Sequence, residues 1–449
     1  MKSLKNASLF AALALPLLHC SADAPTAPEA TEDAIVDADR TGRAVDAYLD
    51  AWMGGVKEDA LLAVLAPSFV FESGGARVDG AAAYVKLLLA GGGEVTCDKS
   101  GITSRVVRAR AARVEYVCKT PAGPVPFSEE LEVAGGRVTR SRAVFDGARV
   151  AEATATKATV MRVATGWTRG DAVALRPLFT PNARFHGGGR ELSLDAYLGA
   201  ARDAKAAMPD FDLRYRFVEA TRDGAVVFET RTGTHSGAPY FGLQASGRRI
   251  GHTAVQIFRL EGGKIAEVWT EAGFDQVITQ LTGRAPAPTQ AAMNAALDAA
   301  DATAAADCPV TASGWPAEET RRRWVTALGA GPDALGALYG DRFRLSSPFT
   351  LAGTRADAVG AVAGAKSLGT GFDPSGLVVR YAGSRVVGVA GAVKLEYQNP
   401  TGAFGLPALA EPRPVAIHEA HVLVACGGKI TRQYSHNDAL GLHAQLDGR

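Results

Sequence analysis

The run Ala254-Val255-Gln256-Ile257-Phe258-Arg259-Leu260-Glu261-Gly262-Gly263-Lys264-Ile265-Ala266-Glu267-Val268-Trp269 decides the fold. Its first seven residues are β-branched or alternate apolar with polar, the period of a strand. Gly262 and Gly263 then accept the positive φ that a tight hairpin demands, and a second strand-like run follows at once. The same closing hairpin occurs twice more, as Ala134-Gly135-Gly136-Arg137-Val138 and Cys426-Gly427-Gly428-Lys429-Ile430.

Working outward, each hairpin closes a longer pattern. Every copy enters through an amphipathic helix, breaks, and reopens at a small-Asp-Ala element. These elements are Ala51 to Ala60, Gly166 to Ala172 and Ala327 to Ala334. Asp59, Asp171 and Asp333 sit where a helix N-cap belongs. Short strands follow at Phe69–Ser73, Ala183–Gly187 and Phe343–Ser347, and a third helix is predicted over Leu194–Met208. Helices first and strands second make an α+β fold, whose curved antiparallel sheet leaves a hollow suited to a small molecule.

The copies are predicted at 38–150, 155–284 and 314–449, three cones in tandem. One domain per about 150 residues gives the same number for a chain of 449. Residues 285–313 form an Ala/Pro-rich linker, with a helix expected from Gln290 to Ala306.

A chain that is 47% hydrophobic and 21% charged folds rather than remaining disordered. Lys and Arg number 48 against 47 Asp and Glu, a net charge of +1, which argues against a nucleic-acid partner. The sequence has no Walker A loop, H-E-x-x-H or G-x-S-x-G element. Gly91-Gly92-Gly93 and Gly187-Gly188-Gly189 lack a following phosphate-binding helix start. No cofactor is expected, and without a C-x-x-C or Cys/His cluster no metal either.

Lys2 and Lys5 precede an apolar run over residues 7–18, too short to span a membrane but suited to a secretory signal. Residues 1–24 therefore read as a signal peptide. Leu17-Leu18-His19-Cys20 resembles a bacterial lipoprotein signal with Cys20 lipidated; cleavage after Ala22-Asp23-Ala24 is the alternative. Residues 25–37 read as a flexible tether. The expected location is periplasmic or at the cell surface, with the membrane a partner only through the lipid. In that oxidising space Cys97 with Cys118, and Cys308 with Cys426, are the predicted disulfides, although four cysteines allow three connectivities or four free thiols.

Met208-Pro209-Asp210-Phe211, Gly233-Thr234-His235-Ser236-Gly237, Gly247-Arg248-Arg249, Ile257 to Trp269 and Gln280-Leu281-Thr282-Gly283 resemble the SnoaL-like polyketide cyclase family of the nuclear transport factor 2-like superfamily. The likeness runs from roughly Ala155 to Gly283. The third copy resembles the family more weakly, through Asn399-Pro400-Thr401-Gly402, Gly428-Lys429-Ile430 and Gln445-Leu446. The first keeps the helical entry and the final hairpin. The resemblance implies a cone of three helices wrapped by a curved four- to six-stranded sheet. It also implies pairing through outer sheet faces, which here could occur within one chain.

In cyclising members the resemblance implies a histidine on the penultimate strand and an aspartate on the last, the carboxylate acting as general base. The positions lie eight residues before the hairpin's basic residue and just after the tryptophan, or four further on. They are held by Gln256, Thr270 and Gly273 in the second copy, and by Glu129, Ala143 and Asp146 in the first. In the third they are His421, Ser435 and Asp438, with Tyr434 replacing the tryptophan. No copy carries the full set.

His421, His436 and Asp438 are accordingly the candidate catalytic residues, the alternative being a polar strand end at the cone mouth. His186, His235, His252, Gln256, Trp269 and Glu271 are the candidate ligand-binding residues of the second copy, unless His235 only completes a turn. Glu129, Asp146 and Arg142 form either a cavity charge cluster or an exposed hairpin. Trp52 and Trp167, like Trp269, suit a core position. The function expected is an exported three-cone protein that binds a small apolar or polyketide-like molecule. The alternatives are a cyclase, isomerase or hydrolase acting on a polyketide- or steroid-like substrate, and an interaction scaffold.

Overall fold

The structure, a computed structural model, describes residues 32–90, 94–399 and 408–446. The signal segment, Cys20, residues 25–31 of the tether, Gly91-Gly92-Gly93 and Pro400-Thr401-Gly402 lie outside the described residues. The chain forms two compact units: residues 1–154 with 309–311, and residues 155–308 with 312–449.

The first unit contains α1 (Glu32–Trp52), α2 (Glu58–Val64), α3 (Ala81–Ala90) and strands β1 (Leu65–Ser73), β2 (Ala76–Asp79), β3 (Ile102–Val107), β4 (Ala111–Thr120), β5 (Gly123–Ala134) and β6 (Arg137–Phe145). α1 begins at Glu32, so the last part of the expected tether is helical. Val45, Tyr48, Leu49 and Trp52 recur at helical spacing and turn one face of α1 into the core with Leu61, Phe69, Tyr84, Val114 and Leu131. Cys97 and Cys118 are disulfide-bonded, as expected.

The unit boundary falls within α4 (Gly147–Arg169), near the junction expected between the first two copies. The second unit continues with α5 (Ala172–Leu175), β7 (Phe179–Gly187), β8 (Arg190–Ser193), α6 (Leu194–Ala207), β9 (Asp212–Thr221), β10 (Gly224–Thr234), β11 (Arg249–Glu261), β12 (Lys264–Ala272) and α7 (Phe274–Leu281). Then follow α8 (Gln290–Ala305), α9 (Ala317–Ala330), α10 (Pro332–Leu338), β13 (Tyr339–Ser346), α11 (Arg355–Ser367), β14 (Gly369–Asp373), β15 (Val378–Ala382), β16 (Val386–Asn399), β17 (Leu409–Cys426), β18 (Lys429–Asn437) and α12 (Ala439–Leu446). Of the three predicted aspartate caps only Asp171 acts as one, accepting from the Ala174 amide. Asp59 and Asp333 lie inside the first turns of α2 and α10.

The three sheets share nearly one strand order. The sheets run β2-β1-β6-β5-β4-β3, β8-β7-β12-β11-β10-β9 and β13-β18-β17-β16-β14, with β15 also on β16. Each is antiparallel except at one seam, where the first long strand runs parallel to the last. The closing hairpins share nearly one backbone path, with φ of 59° and 75°, 55° and 76°, and 56° and 78° at their glycine pairs. A register shift follows at the same distance from each turn, at Glu132/Val133, Arg259/Leu260 and Val424/Ala425. Such a bulge sharpens strand twist and helps the sheet curl into a cone.

In the second unit the outer faces of two sheets pack together. Val226, Phe228, Val255, Ile257 and Trp269 meet Val386, Ala390, Ala420, Val422 and Tyr434 in one apolar layer. This explains why β10 is buried along nearly its whole length instead of alternating. The helix expected in the linker forms as α8, which places Leu297 in the same layer. The second expected disulfide, Cys308–Cys426, ties the chain just beyond α8 to the last hairpin.

Candidate functional site

One position links the three cones. Glu129 faces Ala143, Gln256 faces Thr270, and His421 faces Ser435 across the β5–β6, β11–β12 and β17–β18 ladders. Each side chain points into its own cone, but the three interiors differ in how completely their polar groups are paired.

In the first cone Glu129 is fully buried and accepts three hydrogen bonds: Tyr48 Oη at 2.8 Å, Tyr116 Oη at 3.0 Å and Ser141 Oγ at 2.5 Å. The Tyr84 hydroxyl joins through Tyr48 at 2.9 Å. Burial pushes the Glu129 carboxyl above the ordinary range, and its three donors pull it partly back. Asp146 and Arg142 do not join it. Asp146 accepts from the Arg149 amide at the start of α4, and Arg142 pairs with Glu72 on the surface.

The third cone holds a closed chain. His421 Nε2 lies 2.8 Å from Glu419 Oε2 and Nδ1 lies 2.8 Å from Ser435 Oγ. Gln433 donates to Ser435, Tyr339 donates to Gln433, and the Trp324 ring packs edge-on against His421 at 4.6 Å. The expected catalytic trio is not assembled. His436 pairs with Ala420, so it faces the opposite side of the sheet from His421 and meets Thr253 of the second cone. Asp438 caps α12 through the Gly441 amide.

The second cone is different. The inward face of β10 and β11 carries Glu229, Arg231, His252 and Gln256, so the interior expected to be apolar is strongly polar. Arg231 donates to Glu229. Gln256 Nε2 donates to both Glu229 oxygens at 3.2 and 3.1 Å and accepts from Tyr215 at 3.1 Å. Burial pushes the Glu229 carboxyl up against the pull of Arg231. Burial and Arg231 hold His252 well below the usual histidine range.

The Tyr197 hydroxyl meets Trp167. The buried Arg231 Nε, His252 Nδ1 and Thr270 Oγ1 of this cone have no hydrogen-bond partner. Each such group costs about 1–3 kcal/mol if nothing pairs with it.

Of the remaining candidates, His235 organises the turn after β10. Its Nε2 lies 3.0 Å from the Ala238 carbonyl and its Nδ1 lies 3.4 Å from Ser246 Oγ. His186, Trp269 and Glu271 face outward, toward a cleft between the second and third sheets. Of the expected ligand set, only His252 and Gln256 are thus inside the cone.

Sequence reasoning missed Glu229, Arg231 and Tyr197. The signal available was two charges at i and i+2 within the apolar strand Ala225–Thr234, which places both on one face. Among the described residues no cluster of His, Cys, Asp and Glu is placed to hold a metal, and no helix is long and apolar enough to cross a membrane.

Helices packed inside curved sheets, with polar side chains gathered at one position of the last hairpin, define a chain of cone-shaped α+β folds. Residues 157–281, which span the second cone, match the profile of the SnoaL-like polyketide cyclase family.

Among solved structures the chain is similar to AclR, a candidate hydroxylase from Streptomyces galilaeus (23% identity, 33% of this chain and 94% of that one, TM-score 0.28). It is also similar to IdmH, a candidate polyketide cyclase from Streptomyces antibioticus (25%, 28% and 98%, TM-score 0.26). A third likeness is to a candidate ketosteroid isomerase from Kribbella flavida (21%, 24% and 79%, TM-score 0.23). Comparison with curated proteins returns no match.

Proposed function

We propose that the second cone is a binding chamber for a small, oxygen-rich molecule of polyketide-like character. The buried Arg231 Nε, His252 Nδ1 and Thr270 Oγ1, left without partners on its inner wall, carry this reading, beside a Tyr197 hydroxyl that meets Trp167. Arg231 Nε can only donate, and the Tyr197 and Thr270 hydroxyls can donate as well. A ligand bearing carbonyl or enol oxygens would satisfy them, beside Phe185, which stacks on Tyr197, and Leu213, which pairs with Arg231 across the β9–β10 ladder. The family match over residues 157–281 supports the same substrate class.

Native mass spectrometry of the protein purified from its host tests this. We expect a co-purifying small molecule that is released on denaturation and lost in Arg231→Met. A ligand-free protein that also fails to bind any aromatic polyketide offered to it would refute the proposal.

Acid–base catalysis in this chamber is the second reading. Its support is that the expected dyad positions hold Gln256 and Thr270, yet a buried carboxyl, Glu229, stands beside Arg231 on the adjacent strand. Glu229 would remove a proton next to a carbonyl, and Arg231 would hold the resulting oxyanion. Turnover of ketone or ester substrates that survives in Glu229→Gln would exclude this role.

We further propose that the three cones are copies of one unit carried on an exported, lipid-anchored protein. The common sheet order and the matching bulges support the first part. The sequence from Lys2 to Cys20 and the two disulfides support the second. The mass of the mature N-terminus, with or without acyl chains on Cys20, decides the anchor.

A further inference from the structure

Where the second and third sheets part, a cleft of about 290 Å³ opens between the β7–β8 hairpin and β12 on one side and β15, β16 and β17 on the other. Its shape comes from one large and several small residues. Trp269 forms the wall, with the His186 ring stacked on it at 5.4 Å and 12° and the Arg380 guanidinium 4.9 Å from its centroid. Ala390, Gly391 and Ala420 form the floor. Gly391 has φ of 156°, and a Cβ there would collide with the Gly376 carbonyl, so the floor stays low. A volume of this size, flat on one side, admits a planar molecule of one or two rings.

The charges around the cleft are unequally committed. Each carboxylate already has a partner. Glu419 meets His421, Glu271 accepts from the Gly188 amide at 3.1 Å, and Glu191 faces Arg184 and His186. Of the basic groups only His186 has one, in Glu267 and Glu191. Among the described residues Arg190 and Arg380 form no ion pair within 4 Å, and the His418 ring makes no hydrogen bond, although all three line the cleft. Partial burial lowers the Arg380 guanidinium from its ordinary value, Glu267 pulls it back and Arg184 adds to the fall. An unpaired guanidinium next to an aromatic wall favours a planar anion, because Arg offers two parallel donors and also stacks.

We propose that this cleft is a second binding site, for a planar aromatic ring carrying a carboxylate or phenolate. The ring lies beside Trp269 over the Ala390–Gly391–Ala420 floor, and the anionic group meets Arg380 and His418. The site does not depend on the chamber inside the second cone. It exists only because two cones of one chain pack together, each contributing one wall.

The test is calorimetric titration of the full chain with 2-naphthoate, run beside its neutral analogue 2-naphthylmethanol. We expect 2-naphthoate to bind and the alcohol to bind at least about tenfold more weakly. Arg380→Ala, at an exposed position that the fold tolerates, is expected to weaken 2-naphthoate about tenfold, and His418→Ala about threefold, with the alcohol unaffected. Arg231→Met, in the chamber, should leave 2-naphthoate affinity unchanged. Three results would each overturn the proposal: no binding up to about 10 mM, equal affinity for the acid and the alcohol, or binding insensitive to Arg380→Ala.

Discussion

Thr253 Oγ1 of the second sheet lies 2.8 Å from His436 Nε2 of the third, so a side chain expected to do chemistry instead joins two cones. His436 is 1% exposed, packs against Phe228, and has no partner for Nδ1. The pair ties the packing of the cones to the protonation state of one imidazole.

That coupling has a defined sign. Burial, then Arg231, then His421 push His436 down to about 3. Between about 6.5 and 3 the unfolded chain takes up a proton that the folded chain refuses. The contribution is therefore complete above about 6.5 and is lost as pH falls, by up to about 1.4 kcal/mol per pH unit. His436→Gln should flatten the decline in denaturant midpoint between pH 7 and pH 5. A wild-type slope retained in the variant would contradict this.

Glu271 works in the opposite direction. Burial, with Asp438 and Glu419 adding to it, raises this carboxyl to about 8, while the Gly188 amide opposes the shift. A folded-state value above the unfolded one gives stability that is whole below about 4.5 and lost as pH rises toward 8. Glu271→Gln keeps the shape without the charge. It should stabilise the protein by about 1–3 kcal/mol at pH 9 and by much less at pH 5. Thermal melts at the two pH values measure the difference, and equal shifts would show that Glu271 is not desolvated.

These two residues also show what could be read from the sequence. The three hairpins, their glycine turns and the order of helices before strands rest on local chemistry, and these, with both disulfides, appear as expected. The faces of the last strands did not follow as easily. Counting straight back from the Gly427-Gly428 turn pairs His421 with Tyr434 and puts His436 on its face. The bulge at Val424/Ala425 advances the register by one, so His421 pairs with Ser435 and His436 is turned outward. A bulge has no strict sequence signature, which is why the trio looked plausible. Glu229 and Arg231 were hidden for another reason: packing of two sheets buries both faces of β10, so alternation no longer marks the inside.

Asp301 of α8 tests the role of the linker helix. It accepts from Arg432 Nε at 2.8 Å, from Arg216 at 2.8 Å and from the Tyr434 hydroxyl at 2.9 Å, joining strands of both cones. Arg432 is 3% exposed, so losing this partner leaves a buried guanidinium with only Ser346 and backbone oxygens. Asp301 is partly open to solvent, which discounts the cost. Asp301→Ala should lose about 2–4 kcal/mol, and Asp301→Asn less. Urea midpoints decide, and a loss below about 0.5 kcal/mol would mean that the helix is only draped over the sheets.

The first cone supplies the last prediction. Glu129 occupies the place held by Gln256 and His421 elsewhere, yet its two oxygens already receive three hydroxyl donors. A carboxyl so enclosed acts as the hub of the core rather than as a free base. Glu129→Ala removes the acceptor for Tyr48, Tyr116 and Ser141 together and should cost about 3–5 kcal/mol. Glu129→Gln keeps one carbonyl oxygen but turns an amide donor toward hydroxyl donors, so it should cost less than half as much. Because burial raises the Glu129 carboxyl, part of its stabilising effect fades as pH rises above about 4.5, and the deficit of Glu129→Gln should shrink from pH 5 to pH 8. Denaturation of the full chain followed through the Trp52 environment reads out this unit. If Glu129→Ala is as stable as the wild type, the tyrosine hydroxyls find other partners and the hub assignment falls.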